Sequence, residues 1–210
     1  MRDEVELKFK IKKSDVNHLR SQLQKLALFQ SSTFEITVMF DNKEMVLNKI
    51  DARLRLRLSR NLIDDSQSAE LSYKRPRTRG EVKVEEEIET RIESYNETYS
   101  LLKKIGFYPV SSYERFRETY KYNGSVLTLD TFPLGIYLEI EGERKKITKI
   151  AQKLGFNLKN NLTESCDTLD DMERKKRKMP SVDHIVFKDN IRRIIEKSQK
   201  EEAQNALIKK

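Results

Sequence analysis

Three arginines on one face of a short strand constrain this chain more than any other feature. Arg53, Arg55 and Arg57 alternate with Leu54, Leu56 and Leu58, and residues two apart in an extended segment point the same way. Glu139 and Glu141 alternate in the same manner with Leu138 and Ile140. Side chains two apart on a strand stand roughly 7 Å from each other. A like-charged pair at that spacing repels by about 2 kcal/mol at an effective dielectric near 20, and by far less where water screens it. Such rows are tolerable on the wet side of an ordinary antiparallel sheet. They are also tolerable inside a cavity where opposing rows and a ligand compensate them, and the kind of residue involved favours the cavity.

Eight segments carry the two-residue period of strands: 4–9, 34–40, 52–58, 69–74, 83–89, 113–122, 125–131 and 136–141. In the first, Val5, Leu7 and Phe9 oppose Glu4, Glu6 and Lys8; in the fifth, Val84 and Ile88 oppose Glu85, Glu87 and Glu89. Asn123-Gly124 is a two-residue hairpin signal, because both residues tolerate positive φ. Tyr122 should then face Ser125, which puts Thr119 opposite Thr128 and Arg117 opposite Asp130. Helical periodicity predicts a helix capped by Ser14-Asp15 that carries Val16, Leu19, Leu23 and Leu26. A second should be capped by Ser94, with Glu97 in capping-box position and Gly106 as its stop. Further helices are expected over 145–154, 163–172 and 185–208, the last with Ile191, Ile194 and Ile195 as its buried stripe. Eight antiparallel strands can close into a barrel that holds one small ligand. With the apolar faces outward against helices, its interior would be lined by both cations and carboxylates, a lining suited to a metal-chelated polyphosphate.

Composition excludes much else. The single cysteine, Cys166, rules out an internal disulfide framework or a thiolate zinc site, and His18 and His184 are too few for a histidine-centred one. Glycine-rich phosphate loops are missing, so any phosphate must be held by side chains. No apolar run is long enough to cross a bilayer and the amino terminus carries no signal-peptide core, so a cytoplasmic protein is expected. On the same ground the triplets at Asn96, Asn123 and Asn161 that match the glycosylation pattern read as ordinary surface sequence. Of the net charge of +8, residues 173–210 hold 12 basic against 6 acidic residues, so the excess belongs mostly to the tail.

Along the chain stand, in order, Glu4-Val5-Glu6-Leu7-Lys8, Phe40-Asp41, Arg53-Leu54-Arg55, Leu71-Ser72-Tyr73-Lys74, Glu86-Glu87-Ile88-Glu89, Arg115-Phe116-Arg117, Asp130 and Leu134-Gly135-Ile136-Tyr137-Leu138-Glu139-Ile140-Glu141. Over about residues 1–172 this succession resembles the CYTH domains, or triphosphate tunnel metalloenzymes, which include class IV adenylyl cyclases, thiamine triphosphatases and inorganic triphosphatases. The resemblance implies an α+β fold: an eight-stranded antiparallel β-barrel, the triphosphate tunnel, with flanking helices. Residues 173–210 would be a basic, mainly helical C-terminal extension, packed on the barrel or on a second copy of the chain.

Carried over by position, Lys8, Arg53, Arg55, Lys74, Arg115 and Arg117 would clamp the triphosphate, with Lys8, Arg55 and Lys74 as its catalytic members. Glu4, Glu6, Glu87, Asp130, Glu139 and Glu141 would hold Mg²⁺ or Mn²⁺. Arg57, Glu85 and Glu89 share the inward face by alternation. The expected reaction is metal-dependent hydrolysis of a triphosphate such as tripolyphosphate, ATP or thiamine triphosphate. The alternatives are conversion of ATP to cyclic AMP and pyrophosphate, and a non-catalytic module that binds a triphosphate or RNA 5′ end, with the basic tail touching nucleic acid. The sequence departs from the family pattern at Met39 and at Ser165-Cys166, where many members carry tyrosine; Met39 can neither give nor take a proton.

Overall fold

The computed structural model describes residues 2–79 and 83–208, without the side chains of residues 2–4, 79, 166 and 167. Eight strands form a closed ring: β1 (Arg2–Ile11), β2 (Leu28–Asp41), β3 (Arg53–Asn61), β4 (Gln67–Arg79), β5 (Lys83–Ile92), β6 (Tyr108–Tyr122), β7 (Ser125–Thr131) and β8 (Ile136–Glu141). Their order is β2-β3-β4-β5-β1-β8-β7-β6, and β2 pairs with β6 to close it. Each neighbouring pair is antiparallel. A two-residue ninth strand, β9 (His184–Ile185), adds to β6 in parallel. The strands run longer than the alternation alone delimits, most of all β2, β4 and β6, because pairing partners continue where the apolar period fades.

The ring is not an even barrel. β1 pairs with β5 through Arg2–Glu6 and with β8 through Glu6–Ile11, so the two pairings overlap only at Glu6. The hairpin between β6 and β7 has the expected register, with Tyr122 on Ser125, Thr119 on Thr128 and Arg117 on Asp130. Asn123 and Gly124 take φ of 55° and 77°, as a tight turn matched to the strand twist requires.

Helices cover the outward faces. α1 (Val16–Leu26) and α4 (Arg144–Lys153) pack Val16, Leu19, Leu23, Ile147, Ile150 and Ala151 against Leu7, Phe9, Leu127, Leu129, Leu138 and Ile140. The expected Ser14-Asp15 cap makes no bond to the α1 backbone; a 3₁₀ turn at Lys13–Asp15 leads into the helix instead. α2 (Val46–Lys49), which the sequence did not announce, closes the loop after β2. There the Asp41 carboxylate accepts the backbone N–H groups of Asn42, Leu47 and Asn48. α3 (Tyr95–Lys104) is capped by Ser94, whose Oγ accepts from Glu97 N at 3.3 Å, and lies over Phe40 and Leu56.

α5 (Cys166–Lys176) and α6 (Asp189–Ile208) complete the shell. The buried stripe of α6 is not the expected one: Ile191 and Ile194 are 42% and 64% exposed, whereas Gln199, Ala203 and Ala206 are buried. Phe187 docks first, on Phe116 with ring centroids 5.3 Å apart, and Arg60 binds Glu196 at 2.8 Å. These two contacts turn the helix so that Ile195 and the small side chains after it meet the sheet.

A buried polar knot ties α1 to the outside of β6. Arg20 donates to both carboxylate oxygens of Glu118, at 2.8 to 3.1 Å, and Tyr120 donates to the same carboxylate at 2.9 Å. Removing one partner of a buried pair strands the other's charge. Glu118→Gln should therefore lower unfolding free energy by about 3 kcal/mol, read by urea denaturation.

Candidate active site

Strand alternation turns Glu6 and Lys8, Glu35, Arg53, Arg55 and Arg57, Glu70 and Lys74, Lys83, Glu85 and Glu87, Arg115 and Arg117, Asp130, and Glu139 and Glu141 to the inside of the ring. Ten of these side chains form one unbroken sequence of opposite charges. Lys83 Nζ lies 3.6 Å from Glu6 Oε2, and Glu6 Oε1 lies 2.9 Å from Lys8 Nζ. Lys8 reaches Glu139 at 3.2 Å, and Arg117 bridges Glu139 at 2.8 Å and Asp130 at 2.6 Å. Asp130 meets Arg115 at 3.1 Å, Arg115 meets Glu35 at 2.7 Å, Glu35 lies 3.6 Å from Arg57, and Arg57 ends on Glu70 at 2.7 Å. Every strand of the eight contributes at least one member. A side branch joins Lys83 and Arg53 through Glu85, and Lys74 pairs with Glu87 at 2.9 Å beside it.

The ring thus brings Lys8, Arg53, Lys74, Arg115, Arg117, Glu6, Glu87, Asp130 and Glu139 into paired contacts. Arg55 sits between Arg53 and Arg57 on β3, opposite Met39 and Ser72. Glu141 is in register with Glu6. The side chain of Glu4 lies outside the described residues, as does that of Cys166. Glu35, Glu70 and Lys83 are members that the sequence reading passed over. The signal for Glu35 was its place between Phe34 and Ile36, which puts a carboxylate on the inward parity of β2.

Burial sets the electrostatics. Desolvation alone would raise the Glu35 carboxyl, but Arg115, Arg57 and Arg117 outweigh it and hold the group at about 2. Glu139 is likewise opposed by burial yet pulled well below the usual carboxylate range by Lys8 and Arg117. Burial, with Lys8 and Arg53 nearby, brings the Lys83 ammonium down to about 8 against the pull of Glu6.

The donors are hard oxygens of the kind Mg²⁺ and Mn²⁺ prefer. Glu6 and Glu139 already converge on one cation, the Lys8 ammonium. Glu6 Oε1 is buried and already faces a cation at 2.9 Å, so its surroundings suit a positive charge. Among the described residues no three Asp, Glu, His or Cys side chains form a ready cage. A metal would therefore take these carboxylates in exchange for their present partners.

At one end of the ring, Met39, Tyr113 and Tyr137 turn inward by alternation and pack with Phe132, Leu169 and Ile185 into an apolar cluster. Met39 is thus part of a packed end wall. The basic run at 174–178 is partly compensated: Arg174, Lys175 and Arg177 bind Asp170, Asp171 and Glu173 at 2.6 to 2.7 Å.

Because Glu35 titrates lower in the folded chain than its usual 4.5, its stabilising share is complete above that pH and is lost as the pH falls towards about 2. Glu35→Gln should cost about 2 kcal/mol at pH 7, because Arg115 loses one of its two carboxylates and keeps only Asp130, and should flatten the acid limb of stability in urea titrations between pH 5 and pH 2.

The sequence profile described as CYTH domain matches residues 2–166. A Methanocaldococcus jannaschii protein named putative adenylate cyclase MJ0240 is 30% identical over 151 residues, which cover 71% of this chain and 81% of that protein. Among solved structures, the PH1819 protein of Pyrococcus horikoshii OT3 superposes with a TM-score of 0.68 at 26% identity, covering 82% of this chain and 99% of its own. HpAC1 from Hippeastrum, described as revealing a dominant triphosphatase activity, gives 0.59 at 19% identity, covering 84% and 97%.

Proposed function

The chain belongs to the CYTH domain family, and on that footing we propose that it is a divalent-metal-dependent enzyme that binds a triphosphate group inside the ring and hydrolyses it. The observation that carries this reading is the chain of alternating charges contributed by all eight strands. A buried lining with both signs in near balance is poorly suited to a bare polyanion and well suited to a polyanion that arrives with divalent cations. A triphosphate carries about four negative charges, which a metal partly offsets.

On this reading the cations and carboxylates exchange partners. Arg53, Arg115 and Arg117 would turn from Glu85, Glu35, Asp130 and Glu139 to phosphate oxygens, which would free Asp130 and Glu139 to hold the metal. Glu6 and Glu139, with Glu4, Glu87, Asp130 and Glu141, make up the proposed ligand set for Mg²⁺ or Mn²⁺. When bound, the cation supplies charge neutralisation and Lewis acidity. Lys8, Arg55 and Lys74 are the proposed catalytic members, holding the oxygens that gain charge as the bond to the leaving phosphate breaks. Lys8 is buried and Arg55 and Lys74 are partly so, which lowers the dielectric in which those contacts would act.

Hydrolysis is preferred to cyclisation because HpAC1, which shares the fold, is described as mainly a triphosphatase. A small-molecule substrate is preferred to a nucleic acid because the charged lining is enclosed by the ring, and three of the five basic residues at 174–178 are paired with acidic neighbours.

Incubation with Mg²⁺ or Mn²⁺ and either tripolyphosphate or ATP, with phosphate, pyrophosphate and cyclic AMP resolved, tests the assignment. Metal-dependent release of phosphate is expected; cyclic AMP as the main product would replace hydrolysis by cyclisation. Glu139→Gln should reduce kcat by on the order of 10²-fold, whereas Arg55→Ala should lower kcat/KM by at least about tenfold. Normal turnover in Glu139→Gln would remove the metal assignment.

A further inference from the structure

Lys8 is held by a segment far from it in sequence. Beyond Glu6, the edge of β1 that faces β5 has no strand partner among the described residues, and residues 161–164 cross it there. The Lys8 backbone N–H donates to Asn161 Oδ1 at 2.8 Å, and the Lys8 carbonyl accepts from Leu162 N at 2.8 Å. The strap therefore meets both backbone groups of this one residue, as a neighbouring strand would. At the far end of the side chain, Lys8 Nζ donates to the Glu164 carbonyl at 3.2 Å, beside its ion pairs with Glu6 and Glu139.

The strap is itself ordered by local bonds. Asn157 Oδ1 accepts from Lys159 N at 3.0 Å, Asn161 N donates to the Leu158 carbonyl at 3.0 Å, and Thr163 N donates to Glu164 Oε2 at 3.0 Å. It runs directly into α5, whose Leu169 belongs to the apolar end wall.

We infer that residues 161–164 form a positioning strap for Lys8, with Asn161 as its key side chain. A lysine carries about 2 kcal/mol of rotamer entropy on a flexible four-carbon stem. Holding the backbone at one end and the ammonium at the other removes much of that freedom before a ligand arrives. The inference rests on the proposed role of Lys8 as a phosphate-binding cation. Asn161 acts through Lys8 and touches no substrate.

The test uses Asn161→Ala, which removes the acceptor, and Asn161→Asp, which keeps an oxygen in its place. In Asn161→Ala the Lys8 amide should exchange hydrogen at least about tenfold faster than in the wild type, and in Asn161→Asp at nearly the wild-type rate. Calorimetric affinity for a non-hydrolysable triphosphate in the presence of Mg²⁺ should fall about tenfold in Asn161→Ala and recover in Asn161→Asp, and kcat/KM for tripolyphosphate should follow. A folded Asn161→Ala protein with wild-type affinity and turnover would overturn the inference, as would an Asn161→Asp protein as impaired as the alanine variant. If Asn161→Ala does not fold, rapid exchange of the Lys8 amide in the wild type would overturn it instead. Failure of the wild type to bind or turn over tripolyphosphate would count against the proposed function, and the exchange data would still judge the strap.

Discussion

The structure depends on a buried sequence of opposite charges that only a closed ring can complete. Each carboxylate and each cation inside the ring has lost water, and a charge so placed is costly unless its partner stands beside it. Most of those partners come from other strands: Glu35 on β2 needs Arg115 on β6, Asp130 on β7 needs Arg117 on β6, and Glu139 on β8 needs Lys8 on β1. A flat sheet with the same strands could not bring β2 to β6. Hence the charge rows that repel within one strand become a reason for the ring to close.

That interior dictates the exterior. Charges turned inward leave Leu7, Phe9, Leu56, Phe116, Leu127, Leu129, Leu138 and Ile140 facing out, and each is covered by a helix or by the segment leading into one. The carboxyl-terminal residues belong to this covering: Phe187, Ala203 and Ala206 pack into the same clusters as the strands. The strap at 161–164 fills the place where β1 leaves β5, the uneven point of the ring.

Much of this was legible in the sequence because strand alternation has a fixed period and charged residues mark the face they occupy. The hairpin register from Asn123-Gly124 and the inward parity of Arg53, Arg117, Asp130 and Glu139 follow from that rule and from turn geometry. Other features depend on long-range packing that no local pattern encodes. The face of α6 was read correctly at Ile195 and misread at Ile191 and Ile194, because the Phe187 anchor and the Arg60–Glu196 pair set the helix rotation. Asp41 stood out as a motif residue, and its carboxylate caps the backbone of the following loop. Asn161 stood out only as a glycosylation triplet, because its partner, Lys8, lies at the opposite end of the ring domain's sequence.

The central claim is that the two charge rows serve one enclosed anion-and-metal site. Its most direct test is a crystal structure grown with Mn²⁺ and a non-hydrolysable triphosphate, located by anomalous scattering. The account predicts a manganese peak against Glu6 or Glu139 and phosphate density within hydrogen-bond reach of Lys8, Arg55 and Arg117. Anion and metal found only on the outer surface, with the interior ion pairs intact, would contradict it.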